Sequence, residues 1–349
     1  VCVVCIGATI GKICMSSEPS QTNQQINSVI VNQARFDEGF VYYVLRTKSG
    51  ELMARAAGAA TPIINKTAFS EVELDAPPLE SQRRIASILG AYDDLIEINR
   101  RRIAVLEEMA RGLFEEWFVR FRFPGHEGVP IFDTSDGPLP QGWRRQAISS
   151  VYDGLYDGPH ATPPPAEAGA TFLGIGNITE TGRIDLSSQR YIAEEDLGRW
   201  TKRVTPQEGD IVFTYEATLN RYALIPKGFR GCLGRRLALI RCSSRPGMNR
   251  YLYHYFFTKV WREVIAQNRL AGATVERVPL TRFPEFPITV PSPEVLHRYD
   301  ELARPTARQT EVIEASNHVL ATSRDLLLPR LISGQLSVAE AERELEEAA

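Results

Sequence analysis

Apolar positions recur at alternating steps of four and three from residue 85 onward: Ile85, Leu89, Tyr92, Ile96, Asn99, Ile103, Leu106, Ala110, Leu113 and Trp117. This is the 3.5-residue period of a coiled-coil seam, and it predicts one long helix opening after Pro77-Pro78. At a rise of about 1.5 Å per residue, Ile85 to Trp117 would span about 50 Å. Asn99 is the one carboxamide in the seam. A lone Asn there fixes register at a cost in stability, so it should face a polar residue of a second helix, Ser316 or Asn317, and Asn99→Leu should stabilise the pair. A second seam runs through Val295, Tyr299, Leu302, Ile313, Leu320 and Leu327, with Thr306, Gln309, Ser316 and Ser323 at the intervening positions. Pro305 should break or kink its first turns. Two seams in one chain point to pairing with each other, the alternative being two helices on separate cores.

Elsewhere the pattern repeats itself. Gly58-Ala59-Ala60-Thr61 returns as Ala271-Gly272-Ala273-Thr274, each followed by an apolar strand-like run and prolines, at Val72–Pro78 and Phe286–Pro293. Ala8-Thr9-Ile10 returns as Ala217-Thr218-Leu219. Matches in the same order, each copy leading into a long helix, read as an internal duplication. Phe123 to Pro140 is rich in Gly, Pro and Asp without period, which reads as a linker. Leu139 to Val290 carries short β-like runs such as Ile211–Tyr215 and Leu237–Ile240, a mixed α/β domain. Glu340 to Ala349 holds five glutamates against Arg343 and reads as a solvated acidic tail.

With 349 residues, 43% of them hydrophobic and 24% charged, the chain suits two globular domains. No run reaches the ~20 apolar residues of a membrane helix, and no basic leader precedes the apolar start. Five cysteines, few and odd in number, argue against a disulfide scaffold and fit a reducing cytoplasm. Catalytic motifs fail one by one. Gly7-Ala8-Thr9-Ile10-Gly11-Lys12 is too short for a phosphate-binding loop and continues with Ile13 where Ser or Thr is needed. Cys2-Val3-Val4-Cys5 lacks the second pair of a zinc site, so both cysteines read as small strand residues. Gly174-Ile175-Gly176 lacks the third glycine of a dinucleotide fold, and the five histidines are scattered. No Asp or Glu stands two residues before a Lys, which removes the acidic-x-Lys pair of metal-dependent nucleases, and no Asn/Asp-Pro-Pro-aromatic methylation motif occurs. Charge does speak. From Leu197 to Arg282 there are sixteen Lys and Arg against five Asp and Glu, an excess of eleven in a chain whose net charge is −3. Aromatics interleave with them, a pattern that suits nucleic acid, the alternative being a merely solvated Arg-rich surface.

Pro77-Pro78-Leu79-Glu80-Ser81-Gln82-Arg83-Arg84-Ile85-Ala86, Leu139-Pro140-Gln141-Gly142-Trp143 and Gly209-Asp210-Ile211-Val212-Phe213-Thr214, set in this order around two long helical patterns, resemble segments of a known family, the specificity subunits of type I restriction–modification enzymes. Pro77-Pro78-Leu79-Glu80-Ser81-Gln82-Arg83-Arg84-Ile85-Ala86 resembles the junction between recognition domain and helix. Leu113-Phe114-Glu115-Glu116-Trp117-Phe118 and Leu327-Leu328-Pro329-Arg330-Leu331-Ile332-Ser333-Gly334-Gln335-Leu336 resemble the ends of its long helices. Leu139-Pro140-Gln141-Gly142-Trp143 resembles the start of a recognition domain, and Asp157-Gly158-Pro159-His160-Ala161-Thr162-Pro163 and Gly209-Asp210-Ile211-Val212-Phe213-Thr214 resemble segments inside one. The resemblance implies an α+β (mixed α/β) fold with two target-recognition domains separated by two long helices forming an antiparallel coiled coil. The expected boundaries are 1–79 for the C-terminal part of the first recognition domain, 80–122 for the first helix, 123–138 for the linker, 139–290 for the second recognition domain, 291–334 for the second helix and 335–349 for the tail. The counterpart of Leu139–Gly209 is missing from the first copy, so that domain reads as incomplete, through fragmentation or a truncated gene.

The resemblance further implies a non-catalytic, cytoplasmic subunit that reads a bipartite target on double-stranded DNA and positions its partners. These would be modification subunits, which bind S-adenosylmethionine, and a restriction and motor subunit using ATP and Mg; no cofactor is expected in this chain. The alternatives are a truncated scaffold that docks modification subunits without reading a complete site, and a stand-alone nuclease or methyltransferase, against which the missing motifs count. Arg221, Arg235 and Arg236 are the expected DNA contacts, because they flank the strand-like runs and the turn after Thr218. Tyr215 on the same segment could pack on a sugar or base. Asp157, His160 and Thr162 sit in a Gly/Pro loop suited to backbone or groove-edge contacts, with a structural histidine the equal alternative for His160. By repeat correspondence Thr9 and Lys12 mark the equivalent surface of the first domain.

Overall fold

The computed structural model of the chain describes residues 1–7, 9–56, 62–135, 137–187, 189–270 and 275–348. Both copies of the Gly/Ala-Thr repeat signature, Gly58–Thr61 and Ala271–Thr274, therefore lie outside the described residues. The chain divides into two compact units: Val1–Ile103 with Val312–Ala349, and Ala104–Glu311.

In unit 1, β1 (Cys2–Val4) lies between β2 (Ile13–Cys14) and β3 (Ile26–Ser28) and is antiparallel to both. Val3 points inward and shares a core with Val41 and Leu45 of α1 (Glu38–Thr47) and Leu52 of α2 (Ser49–Arg55). Asp37 starts α1 by accepting the Phe40 N–H at 3.0 Å, satisfying one of the donors a helix start leaves open. A short α3 (Lys66–Ser70), capped by Asn65, precedes α4 (Leu79–Phe114). Gln82 shows what the Pro77–Ala86 motif does. Its buried carboxamide accepts the Asp37 N–H at 3.0 Å and donates to the carbonyls of Arg35 and Pro77 at 3.2 and 2.8 Å, stitching the start of α1 to the start of α4.

Unit 2 takes up α4 at Ala104, and the helix closes in a π-helical turn, Glu115–Val119. The stretch read as a linker is not structureless: β4 (Ile131–Thr134) and β5 (Gly137–Pro140) form a hairpin, Pro138 and Pro140 being tolerated because a two-stranded ribbon has only edge strands. Then follow β6 (Arg144–Ala147), β7 (Gly154–Asp157), β8 (Ala170–Leu173), β9 (Tyr191–Ile192), α5 (Leu197–Trp200), β10 (Ile211–Thr214), β11 (Tyr222–Leu224), β12 (Gly231–Leu233), β13 (Leu237–Arg241), α6 (Met248–Tyr255), α7 (Lys259–Asn268) and β14 (Pro287–Val290). The main sheet has the order β11-β10-β13-β7, all antiparallel; β12-β8-β9 forms a second sheet with β12 parallel to β8, and β14 pairs with β6. Burial is driven by aromatics. Phe118 meets Trp143 at 5.7 Å and both Tyr251 and Tyr299 at 4.9 Å, so the helix-end motif and the Leu139–Trp143 motif share one core.

α8 (Pro293–Ile332) runs antiparallel to α4: Phe114 packs on Tyr299 in unit 2, and Asn99 meets Asn317 in unit 1. The break expected at Pro305 does not occur; the ring sits on the exposed side and the helix continues through it. The seam of α8 is also corrected. It runs through Tyr299, Ala303, Thr306, Thr310, Ile313, Asn317, Leu320, Arg324, Leu327 and Leu331, all buried or half-buried, whereas Leu302 is 52% exposed. The acidic tail is not a free solvated segment either. It folds as α9 (Val338–Ala348), opened by a capping box in which Glu340 N–H reaches Ser337 Oγ at 3.2 Å and Ser337 N–H reaches Glu340 Oε2 at 2.9 Å. Ala341 is buried with Phe40, Leu89 and Leu331, and Glu342 pairs with Arg84.

The duplication is structural. The order β2-β1-β3 followed by α1 and α2 in unit 1 returns in unit 2 as β11-β10-β13 followed by α6 and α7. Gly11 (φ 82°) and its counterpart Asn220 (φ 61°) both adopt the left-handed conformation, which explains the exchange, since Asn is the residue that best replaces Gly there. β7, on the outer edge of β13, has no equivalent beside β3 among the described residues.

Candidate nucleic-acid interface

In unit 2 three turns converge. The loop after β7 begins Asp157-Gly158; the β12–β13 turn is Gly234-Arg235-Arg236; the β10–β11 turn is Glu216 to Arg221. Gly158 donates its N–H to Leu237 O at 2.8 Å, and a Cβ on it would stand 2.2 Å from Gly234 O. Only glycine lets the first two turns approach this closely. Tyr215 N–H donates to Arg236 O at 3.2 Å, tying the second turn to the third, and Ala217 N–H donates to Glu276 O at 2.9 Å.

On this frame Asp157 holds two neighbouring side chains, an arginine and a histidine. Arg203 Nη1 donates to Asp157 Oδ1, and His160 Nε2 lies 2.9 Å from Asp157 Oδ2. Arg203 remains 48% exposed and His160 67% exposed, so both still face solvent. Arg236 Nε donates to Glu216 Oε1 at 3.1 Å, and the neighbouring Arg235 is exposed with no ion pair among the described residues. Thr162 is exposed further along the first loop. Three of the four left-handed non-glycine residues among the described ones are Ala217 (φ 72°), Asn220 and Arg236 (φ 84°), all on these turns. Backbone strain of this kind persists only where surrounding structure imposes it, and it clusters at binding sites.

Two of the expected contacts do not join this surface. Arg221 turns away, donating to Glu180 Oε1 at 3.0 Å and Ile178 O at 3.3 Å. Tyr215 is buried in the aromatic core, where burial, then the charges of Asp157 and Glu216, push its phenol pKa up; its ring is not free to stack on a base. Arg203 is the residue that sequence reasoning left out of the site. It lay within the basic run but on neither flank of the strand-like segments, and only the return of its chain past Asp157 reveals it. The basic run itself is largely neutralised. Among the described residues, nine of its sixteen cations have carboxylate partners, several from outside the run: Asp153, Asp157, Glu180, Glu194 and Asp300. The window therefore overstated the positive surface, and Arg235 with Arg203 and Arg277 carries what faces solvent at these turns.

In unit 1 the equivalent turn is held by Gly11 N–H to Val4 O (3.0 Å) and Lys12 N–H to Thr9 O (3.2 Å), with Thr9 and Lys12 both exposed. The seam residues of α4 lie where coiled-coil packing needs them: Ile85, Leu89, Ile96, Asn99 and Ile103 are buried, and Tyr92, Leu106 and Leu113 half-buried, as are Ile313, Leu320 and Leu327 on α8. No group of His, Cys, Asp and Glu among the described residues could hold a metal, and no helix among them is long and apolar enough to cross a membrane.

Comparison with known proteins shows what the chain is similar to. Residues 1–108 match the model of the type I restriction modification DNA specificity domain. The chain is 25% identical over 342 residues to the type I restriction enzyme MjaIX specificity subunit of Methanocaldococcus jannaschii, covering 95% of this chain and 77% of that protein. It is 38% identical over 95 residues to the HindI specificity subunit of Haemophilus influenzae, 25% of this chain and 20% of that one. Among solved structures, the type I restriction–modification S subunit of M. genitalium is similar at a TM-score of 0.48 and 15% identity, over 95% of this chain and 82% of that chain. The class of protein is thus one built around a type I DNA specificity domain. Residues 1–108 carry the match to that domain, and over 95% of its length the chain is similar to a type I restriction enzyme specificity subunit, the family its motifs resemble.

Proposed function

We propose that this chain is the non-catalytic, DNA-reading subunit of a type I restriction–modification complex. It binds double-stranded DNA through the three converging turns of unit 2 and through the β1–β2 turn of unit 1, each unit reading one half of a bipartite target. α4 and α8 set the spacing of the halves and offer a frame to modification subunits, which carry S-adenosylmethionine, and to a restriction subunit using ATP and Mg. The working compartment is the cytoplasm.

The observation that carries this reading is the assembly of Arg203, His160, Arg235 and Arg236 on turns that a glycine contact and left-handed residues hold together. Planar guanidinium groups suit phosphates and guanine edges, and rigid turns present them in register. Arg235→Ala, Arg203→Ala and Arg236→Ala, measured on target and random duplexes at several salt concentrations, test it. A residue that contacts phosphate should flatten the log–log salt slope by about one and weaken all sequences alike. One that contacts a base should cost about 1–3 kcal/mol on the target alone. Unchanged binding in all three variants would place the DNA surface elsewhere. Methylation-site sequencing of cells carrying the gene beside its modification partner supplies the target.

A further inference from the structure

We propose that Cys2 and Cys14 are a redox site, forming a reversible disulfide that locks the β1–β2 hairpin. The two residues stand directly opposite each other in the antiparallel register. The hydrogen bond from Val4 N–H to Lys12 O at 2.9 Å fixes the alternation along this ladder, so Cys2 and Cys14, two residues further on each strand, are also a hydrogen-bonded pair. Such pairs hold their Cα atoms about 5.5 Å apart, inside the roughly 4.4–6.8 Å a disulfide spans. Directly opposed residues share a face of the sheet, and here it is the outer one: Val3 is buried on the other face, Cys2 is half-buried and Cys14 exposed.

The remaining thiols are differently placed. Cys5 is buried and accepts from Asn27 Nδ2 at 3.1 Å. Cys232 and Cys242 are buried in unit 2, where burial pushes their pKa values up to about 11 and about 12, which keeps them protonated and unreactive. The repeat positions matching Cys2 and Cys14 are Ile211 and Ala223, so the second copy cannot form this bond.

The oxidant class is a small-molecule disulfide such as oxidised glutathione. The exposed Cys14 thiolate attacks it, releasing one glutathione thiolate and leaving a mixed disulfide; the Cys2 thiolate then attacks the Cys14 sulfur, forming the protein bond and releasing the second glutathione. Two thiol protons leave with the two reduced glutathiones, and the bond is reversed by the opposite exchange. The closed loop carries Thr9 and Lys12, so oxidation would stiffen that turn whether or not it touches DNA.

The test treats the full native chain with oxidised glutathione and follows it by intact mass, peptide mapping and amide exchange. The expected product has lost the mass of two hydrogen atoms, yields one peptide pair joining Cys2 to Cys14, reverts with dithiothreitol, and exchanges the β1 and β2 amides more slowly. Cys14→Ser should give no intramolecular bond. A stable glutathione adduct on Cys14 with Cys2 still free, a bond involving another cysteine, or an intramolecular bond in Cys14→Ser would each overturn the assignment. A Cys2–Cys14 bond without slowed exchange would overturn the lock.

Discussion

A carboxamide at a coiled-coil seam position must find a partner or lose the hydrogen bonds it had with water. Asn99 Nδ2 finds Asn317 Oδ1 at 2.9 Å, both residues lying within unit 1. The partner changes the outcome anticipated from sequence for Asn99→Leu. That change alone strands the half-buried Asn317 carboxamide and should destabilise by about 1 kcal/mol, whereas Asn99→Leu with Asn317→Leu should stabilise by about 1–2 kcal/mol while loosening register. Denaturant unfolding of the two variants decides it; equal stability would mean the cross-helix bond is not what makes Asn99 tolerable. A second buried polar group acts through pH. His254 Nδ1 lies 2.6 Å from Tyr299 Oη, and burial lowers its pKa from 6.5 to about 3. The folded state keeps the ring neutral while the unfolded chain protonates it below about 6.5, so stability present above that pH is lost as the pH falls toward 3. Between pH 7 and pH 5 the loss should be about 2 kcal/mol. His254→Phe combined with Tyr299→Phe should remove that part of the pH dependence in urea titrations, and an unchanged slope would assign it to other groups.

The two long helices show how far a periodic pattern reaches at the level of an element. α4 was legible down to single positions because its seam is apolar almost throughout. On α8 every second seam position was misplaced by one residue, because Leu302 is more apolar than Ala303 and pattern reading follows hydrophobicity. The core decides otherwise. Ala303 is buried in the cluster that holds Phe114, Trp117 and Phe118, and Arg324, which no hydrophobic pattern selects, sits in the seam because Asp93 receives it. Ala303→Leu should therefore overpack and cost about 1–3 kcal/mol, while Leu302→Ala should change stability by less than about 0.5 kcal/mol. Thermal unfolding of the pair checks the register, and the reverse order of effects would restore the first one. The family-like segments became intelligible in the same way. Gly209-Asp210 opens β10 because Gly209 takes φ 81° and the buried Asp210 accepts from Gln207 N–H and from Nε and Nη2 of Arg241. Tail and linker were misread because composition alone hides a capping box and a hairpin, whose partners are distant or nonperiodic.

Across the whole molecule, the duplication was the strongest signal in the sequence, and it is the duplication that makes a bipartite reader testable. Its order survived as a shared strand order, β2-β1-β3 and β11-β10-β13, and as a left-handed residue at Gly11 and Asn220. The candidate surface was less legible, because counting charge along a window cannot see carboxylates that fold in from elsewhere; Arg221 pairs with Glu180, and Arg203 comes to the turns through Asp157. The repeat aligns Lys12 with Arg221, yet Lys12 is exposed and has no ion pair among the described residues, so the first copy keeps a free cation where the second has spent its own on a structural bond. If both units read DNA, Lys12→Ala and Arg235→Ala should each lower the salt slope of duplex binding by about one, and the double variant by about two, since independent sites add. A scaffold whose first unit reads nothing predicts a different series: Arg235→Ala lowers the slope, Lys12→Ala leaves it at the wild-type value, and the double variant matches Arg235→Ala alone. Titrations of the three variants and the wild type on one duplex at four salt concentrations separate the two, because the readings differ in whether Lys12→Ala moves the slope at all.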